Sequence, residues 1–251
     1  MNQQNLTAAQ RLFVAADFDP NPDHADAADS VMDQVRDLAH QLSELKGICL
    51  KVNSALRANH YESILDIQEL DLRVFADLKL NDIGETLAKD GKLLRAYGPE
   101  LLTVMCNTGP KAIQTLQEHL PETEIVGVTI LTSLTEEDVQ GMYGTDIQTA
   151  VLRLIDITLR KTDVRSFVCS AAEAPMIRSR FGDDISLITP GIRFADVSVQ
   201  NDDQNQKRVM TATRAIQNGA TRIVVGRPIL DADDRPAAAK RMLAEIETAI
   251  A

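Results

Sequence analysis

The segment Phe75-Ala76-Asp77-Leu78-Lys79-Leu80-Asn81-Asp82-Ile83-Gly84-Glu85-Thr86 opens as an apolar strand, passes through a polar loop and enters a helix. It reads as one βα unit with charge placed where the strand gives way to the loop. Side chains two apart on a strand share a face, so Asp77 and Lys79 are expected to point the same way. Asp82 falls in the loop and Thr86 on the first turn of the following helix. The plain alternative is a surface Asp–Lys pair with Asp82 as a helix cap.

The same unit recurs along the chain. Apolar runs at 12–17, 47–52, 73–78, 101–106, 124–130, 164–169, 185–189 and 222–225 read as strands. Amphipathic stretches at 25–45, 83–97, 110–120, 147–161, 171–181 and 210–219 read as helices between them, and 237–250 closes the chain as another. Eight βα units of about thirty residues each predict an α/β fold, a single-domain (β/α)₈ TIM barrel with its active site at the C-terminal ends of the strands. The barrel is expected over 11–251, after a flexible N-terminal segment, 1–10. An open doubly wound sheet is the competing architecture, but no Gly-rich dinucleotide fingerprint follows the first strand. Two connections lack periodicity, 133–145 after strand five and 191–208 after strand seven, and both fall where lids and binding loops sit.

Further charges stand at the tops of neighbouring strands. Lys51 lies near the end of Gly47-Ile48-Cys49-Leu50-Lys51-Val52, and Asp17 ends the first strand. With Asp77 and Lys79 they make two charges of each sign on three adjacent strands, which solvated decoration does not explain.

The totals narrow the function. At 251 residues the chain is long enough to bury a full core without disulfides or metal. A net charge of −11, with no run of Lys and Arg, argues against a nucleic-acid surface. The apolar runs are too short to span a bilayer and the first ten residues are polar, so no membrane role and a cytoplasmic location are expected. Cys49, Cys106 and Cys169 are widely spaced in or beside apolar strands and read as buried reduced thiols. His24, His40, His60 and His119 have no partner at metal-ligand spacing; they are expected to face solvent, and no metal site is predicted. Ser133 and Ser170 have no nucleophile-elbow context. The cluster Asp231-Ala232-Asp233-Asp234 reads as a helix start rather than a calcium loop.

The run Asp77-Leu78-Lys79-Leu80-Asn81-Asp82-Ile83 with Thr86 resembles the signature of the orotidine 5′-monophosphate decarboxylases. Further segments resemble the same family in the same order: Phe13-Val14-Ala15-Ala16-Asp17-Phe18-Asp19, Thr129-Ile130-Leu131-Thr132-Ser133, Val168-Cys169-Ser170, Ile188-Thr189-Pro190-Gly191-Ile192-Arg193 and Ile223-Val224-Val225-Gly226-Arg227-Pro228. Together they cover nearly the whole chain after its first ten residues.

The resemblance implies decarboxylation of orotidine 5′-monophosphate to UMP and CO₂, in de novo pyrimidine biosynthesis, with no cofactor. Lys79 would donate the proton, within an alternating array of Lys51, Asp77, Lys79 and Asp82. Asp82 and Thr86 would reach the neighbouring subunit's site, which makes the enzyme a homodimer. Asp17 and Lys51 would contact the ribose, and Thr132 would lie near the pyrimidine. Arg193, Gln206, Gly226 and Arg227 would hold the phosphate, with Pro190 nearby; Gln204 is the alternative to Gln206. Two positions depart from the family pattern. Asn53 stands where a glycine usually follows Lys-Val, and Met105 stands where the fourth strand often has histidine.

Two other functions are compatible with parts of the same pattern. A Mg²⁺-dependent sugar-phosphate decarboxylase or aldolase of the same suprafamily has a similar Asp-x-Lys-x-x-Asp core, but those relatives carry an acidic residue at the end of strand two, where this chain has Lys51. A non-catalytic nucleotide-binding barrel would keep the phosphate grip without the chemistry.

Overall fold

A computed structural model describes residues 6–196 and 210–251. Short runs rich in Val, Ile, Leu and Phe form parallel strands: β1 (Leu12–Ala15), β2 (Cys49–Val52), β3 (Arg73–Leu80), β4 (Leu101–Met105), β5 (Glu124–Val128), β6 (Ser166–Val168) and β7 (Ser186–Thr189). Two short strands, β8 (Ile192–Arg193) and β9 (Met210–Thr211), pair only with each other, and β10 (Arg222–Val225) follows. The barrel closes in the order β1-β10-β7-β6-β5-β4-β3-β2. Closure is made where Leu12 pairs with Ile223 and Val14 with Val225, so the open-sheet alternative falls. The expected (β/α)₈ barrel is the observed fold.

Around it lie α1 (Ala8–Arg11), α2 (Ala27–Leu42), α3 (Ser54–Ala58), α4 (Ser63–Gln68), α5 (Gly84–Leu94), α6 (Pro110–His119), α7 (Glu136–Tyr143), α8 (Ile147–Lys161), α9 (Ala174–Phe181), α10 (Ala212–Gln217), α11 (Arg227–Leu230) and α12 (Arg235–Ile250). The helices expected from periodicity all occur, most with shorter ends. Asp26, Asp146 and Asp234 cap α2, α8 and α12 through their carboxylates, so the acidic cluster before α12 is a helix start, as expected. The long connection 133–145, read as lacking an element, contains α7. Its signal was local rather than periodic: Thr135 and Asp138 form a capping box, and Gly144 ends the helix in the left-handed conformation at φ 67°. Likewise α1, which begins in the N-terminal segment expected to be flexible, is a single turn capped by Thr7 and Gln10.

Alternation along the strands sorts the core into two parts. Phe13, Ala15, Cys49, Phe75, Leu101, Val126, Ile188 and Val224 cluster inside the barrel. Their neighbours, including Leu12, Val14, Leu50, Val74 and Leu102, face outward and pack with helix residues such as Val35, Leu38 and Ile113. The N-terminal mouth is filled by charge. The Arg73 and Arg222 guanidinium carbons lie 5.6 and 5.8 Å from the centroid of the Phe13 ring. Arg73 bonds Glu100 at 2.7 Å, and Arg222 Nη2 bonds Glu124 at 2.9 Å, with Ser166 donating to the same Glu124. On β5, a Cβ at Gly127 would come 2.7 Å from Cys106 Sγ and 2.9 Å from Phe167, so only glycine fits there.

Candidate active site

Alternation carries the interior face upward from this core to the C-terminal mouth. Lys51 stands two residues beyond Cys49, Asp77 two beyond Phe75, and Thr103 two beyond Leu101. Strand pairing aligns Lys51 with Ala15 on one side and Phe75 on the other, and Phe75 with Leu101. Asp77 and Thr103 therefore stand two residues above the Lys51 backbone, within reach of its long side chain.

There the charges alternate in space. Lys51 Nζ donates to both carboxylate oxygens of Asp17, at 3.0 and 2.9 Å, and lies 3.3 Å from Asp77 Oδ2. Lys79 Nζ donates to the same Asp77 Oδ2 at 2.7 Å. The remaining oxygen, Asp77 Oδ1, accepts from Thr103 Oγ1 at 3.0 Å. The side chains of Lys51 and Asp77 are each 10% exposed, that of Lys79 30% and that of Asp17 53%, so the array runs from a dry centre to the rim. Burial alone would push the Asp77 carboxyl up. The two ammonium groups and the hydrogen bonds from Lys79 and Thr103 outweigh it and hold the group below the usual carboxylate range.

The meeting of Asp77 and Lys79 was expected, but not by the route the structure takes. Ala76 pairs with Leu102 and Leu80 with Val104, so β3 uses four steps where β4 uses two. Within this bulge Lys79 has φ +48°, a left-handed conformation that costs an L-residue on the order of 1 kcal/mol. A regular strand is therefore not what places the two side chains together.

Asp82 sits apart from the array. It is exposed, its Oδ1 accepts from the backbone N–H of Ile83 at 2.7 Å, and among the described residues it forms no ion pair. Its backbone is fixed by Thr108, whose hydroxyl accepts from Asp82 N–H and donates to Asp82 O. Thr86 is half-buried on the first turn of α5. Thr132 is exposed in the turn after β5. Pro190 directly follows β7 and Gly226 directly follows β10, while Arg227 is the first residue of α11 and Arg193 ends β8. These four thus share the rim above the last two barrel strands. Gln206 and the alternative Gln204 lie outside the described residues.

Asn53, at the step from β2 into α3, has φ −121°, outside the left-handed region that favours glycine. Its Oδ1 is buried and has no partner among the described residues. Met105 is half-buried at the end of β4. His24, His40 and His60 are exposed as expected; His119 is half-buried instead, its Nδ1 2.8 Å from Thr115 O, because α6 turns that ring back onto its own helix. The three cysteines are buried and unpaired. Among the described residues no group of three or more His, Cys, Asp or Glu side chains converges as a metal-ligand set.

Sequence reasoning missed Thr103 and Arg57. Thr103 carried a signal, a lone hydroxyl inside the apolar run Leu101-Leu102-Thr103-Val104 at an interior position. Arg57 carried none; it acts on the carbonyl of Leu78, 2.6 Å from its Nη2, which only the fold reveals.

Known proteins match this chain over most of its length. The model of the orotidine 5′-phosphate decarboxylase / HUMPS family covers residues 10–242. An orotidine 5′-phosphate decarboxylase of Thermobifida fusca is 40% identical over 176 residues, 69% of this chain and 73% of that protein. One of Opitutus terrae is 34% identical over 221 residues, 85% of this chain and 94% of the relative. The crystal structure of orotidine 5′-phosphate decarboxylase from Lactobacillus acidophilus superposes with a TM-score of 0.77 at 25% identity, covering 94% of this chain and 98% of that one. With the closed barrel and its charged mouth, these matches establish that the chain belongs to the orotidine 5′-phosphate decarboxylase / HUMPS family.

Proposed function

We propose that this protein converts orotidine 5′-monophosphate to UMP and CO₂, the decarboxylation of de novo pyrimidine biosynthesis, without metal or cofactor. The observation that carries this reading is the Asp77 carboxylate oxygen shared by Lys79 Nζ at 2.7 Å and Lys51 Nζ at 3.3 Å.

The chemistry needs such an arrangement. When the C6–carboxyl bond breaks, its electron pair stays on C6 as an sp² carbanion that the pyrimidine ring cannot readily delocalise. A fixed ammonium aimed at C6 stabilises that charge in a closed site, where Coulomb interactions are far larger than in water. Lys79 then transfers a proton to C6, CO₂ leaves, and the neutral amine regains its proton from solvent. Lysine suits the task, because a guanidinium does not readily give up a proton. Asp77 holds the Lys79 ammonium in place through the 2.7 Å ion pair and presents negative charge to the departing carboxylate.

Binding falls to the rest of the rim. Asp17 and Lys51 hold the ribose, Thr132 lies near the pyrimidine, and Arg193, Gln206, Gly226 and Arg227 hold the phosphate beside Pro190. The position of the last two loops supports this, since loops after strands seven and eight are the usual phosphate site of such barrels. Binding energy from this remote group can close loops over the site and so raise kcat. Asp82 and Thr86 act in the site of a second copy in a homodimer. In support, Asp82 has no ion-pair partner among the described residues of its own chain, and Ile83 and Leu93, at the start and end of the same helical segment, are 67% and 59% exposed. The buried unpaired thiols fit a reducing, cytoplasmic setting.

A magnesium-dependent reaction is disfavoured by the donor set, because the Lys51 ammonium bridges the carboxylates of Asp17 and Asp77 and would repel a divalent ion. The test is the loss of orotidine 5′-monophosphate absorbance with and without EDTA. Equal turnover in both is expected. Activity abolished by EDTA and restored by Mg²⁺ would point to the metal-dependent branch, and binding without turnover to a non-catalytic barrel.

A further inference from the structure

The peptide unit between Leu78 and Lys79 is held at both ends by side chains from flanking elements. Its carbonyl oxygen, on Leu78, accepts from Arg57 Nη2 at 2.6 Å; Arg57 lies on α3, just after β2. Its N–H, on Lys79, donates to Thr103 Oγ1 at 2.8 Å, on β4. The same hydroxyl donates to Asp77 Oδ1 at 3.0 Å, and Thr103 is fully buried. A peptide plane fixed at both oxygen and nitrogen cannot swing about the bonds on either side of it. The orientation of this plane sets the φ of Lys79, +48°. An L-residue stays in that region only where its surroundings hold it there.

The geometry points to Thr103 and Arg57 as positioning residues for decarboxylation: together they lock the 78–79 peptide so that the Lys79 ammonium remains on Asp77 Oδ2. This rests on the function proposed above. Thr103 acts twice, since its proton also fixes Asp77 Oδ1 and thereby turns Oδ2 toward both ammonium groups. Neither residue needs to meet substrate; both act through Lys79. Releasing the peptide would let the backbone relax toward an extended strand, and the bulge that joins the two side chains would be lost.

Thr103→Val removes the hydroxyl at nearly constant volume, Thr103→Ser keeps it, and Arg57→Met removes the guanidinium from an exposed residue. For each, kcat and KM on orotidine 5′-monophosphate, Kd for UMP and the melting temperature are measured. The ¹³Cε resonance of Lys79 at fixed pH, assigned by its loss in Lys79→Met, reports the ammonium's surroundings whether or not turnover occurs. Thr103→Val is expected to lower kcat by about 100-fold, the effect of a small displacement at a reacting group, with Kd for UMP within about twofold. Thr103→Ser should recover most of the loss. Arg57→Met should lower kcat by roughly tenfold, and the Lys79 resonance should move in both it and Thr103→Val. Unchanged kcat and an unmoved resonance in Thr103→Val and Arg57→Met would overturn the inference, as would a loss in Thr103→Val that serine does not rescue or that UMP affinity matches. If the valine variant does not fold, Arg57→Met decides by the same two readouts. A wild-type protein inert toward orotidine 5′-monophosphate would refute the proposed reaction, while the Lys79 resonance in Arg57→Met would still decide whether the peptide is held.

Discussion

Asp77 and Lys79, two residues apart on β3, meet at 2.7 Å across a bulge in which Lys79 adopts φ +48°. The ion pair is thus bound up with a backbone irregularity, and the stability of one depends on the charge state of the other. Asp77 is held below the usual carboxylate range, so its ionised form favours the folded state. Its contribution is fully present above the ordinary carboxylate value near pH ~4 and is lost as pH falls through the depressed value. Chemical denaturation of wild-type and Asp77→Asn protein between neutral and strongly acidic pH should show the variant less stable at neutrality, with the gap narrowing only below that value. A gap independent of pH would contradict the depressed ionisation of Asp77.

At the opposite mouth of the barrel, Arg222 and Glu124 serve the fold and not the chemistry. Arg222 is buried and its Nη2 bonds Glu124 Oε2 at 2.9 Å, within a group that includes Ser166 and the Phe13 ring. Glu124→Ala leaves a buried guanidinium without its counter-charge and should destabilise by about 2 to 3 kcal/mol, less than a fully buried pair because Glu124 is partly exposed. The denaturation midpoint should drop while kcat on orotidine 5′-monophosphate holds. An unchanged midpoint would show that the pair is replaceable.

The cysteines should be inert in the folded state. Burial pushes the Cys106 and Cys169 thiols up to about 12, and Cys49 higher still. A thiol reagent at mildly alkaline pH should find no reactive group in native protein and three after unfolding. Rapid reaction of native protein would mean that a strand carrying one of them opens easily.

The proposed sharing of the site between two subunits has its own test. Asp82→Ala and Lys79→Ala subunits, each inactive alone, should regain roughly a quarter of wild-type activity when mixed, because half of the dimers are hybrids with one of two sites intact. Absence of rescue on mixing would place Asp82 outside the partner's site.

Much of this organisation was legible in the residues. Eight apolar runs alternating with amphipathic stretches suffice for a barrel, and Lys51 and Asp77 could be assigned to its mouth because interior positions follow a two-residue period that Cys49 and Phe75 begin. Short elements were not legible from periodicity. A single turn such as α1, or an eight-residue helix such as α7, is set by its caps, Thr7 with Gln10 and Thr135 with Asp138, rather than by a long apolar face. The bulge at Lys79 was hidden for a different reason. No glycine marks it, and the contacts that hold it come from Arg57 and Thr103, more than twenty residues away on either side.

In the proposed reaction the Lys79 ammonium, held on Asp77, stabilises and protonates C6. The most direct measurement is kcat of Lys79→Ala on orotidine 5′-monophosphate alongside its affinity for UMP. Turnover should fall by roughly four orders of magnitude or more, with UMP binding largely retained. A variant that keeps near-wild-type kcat would contradict it.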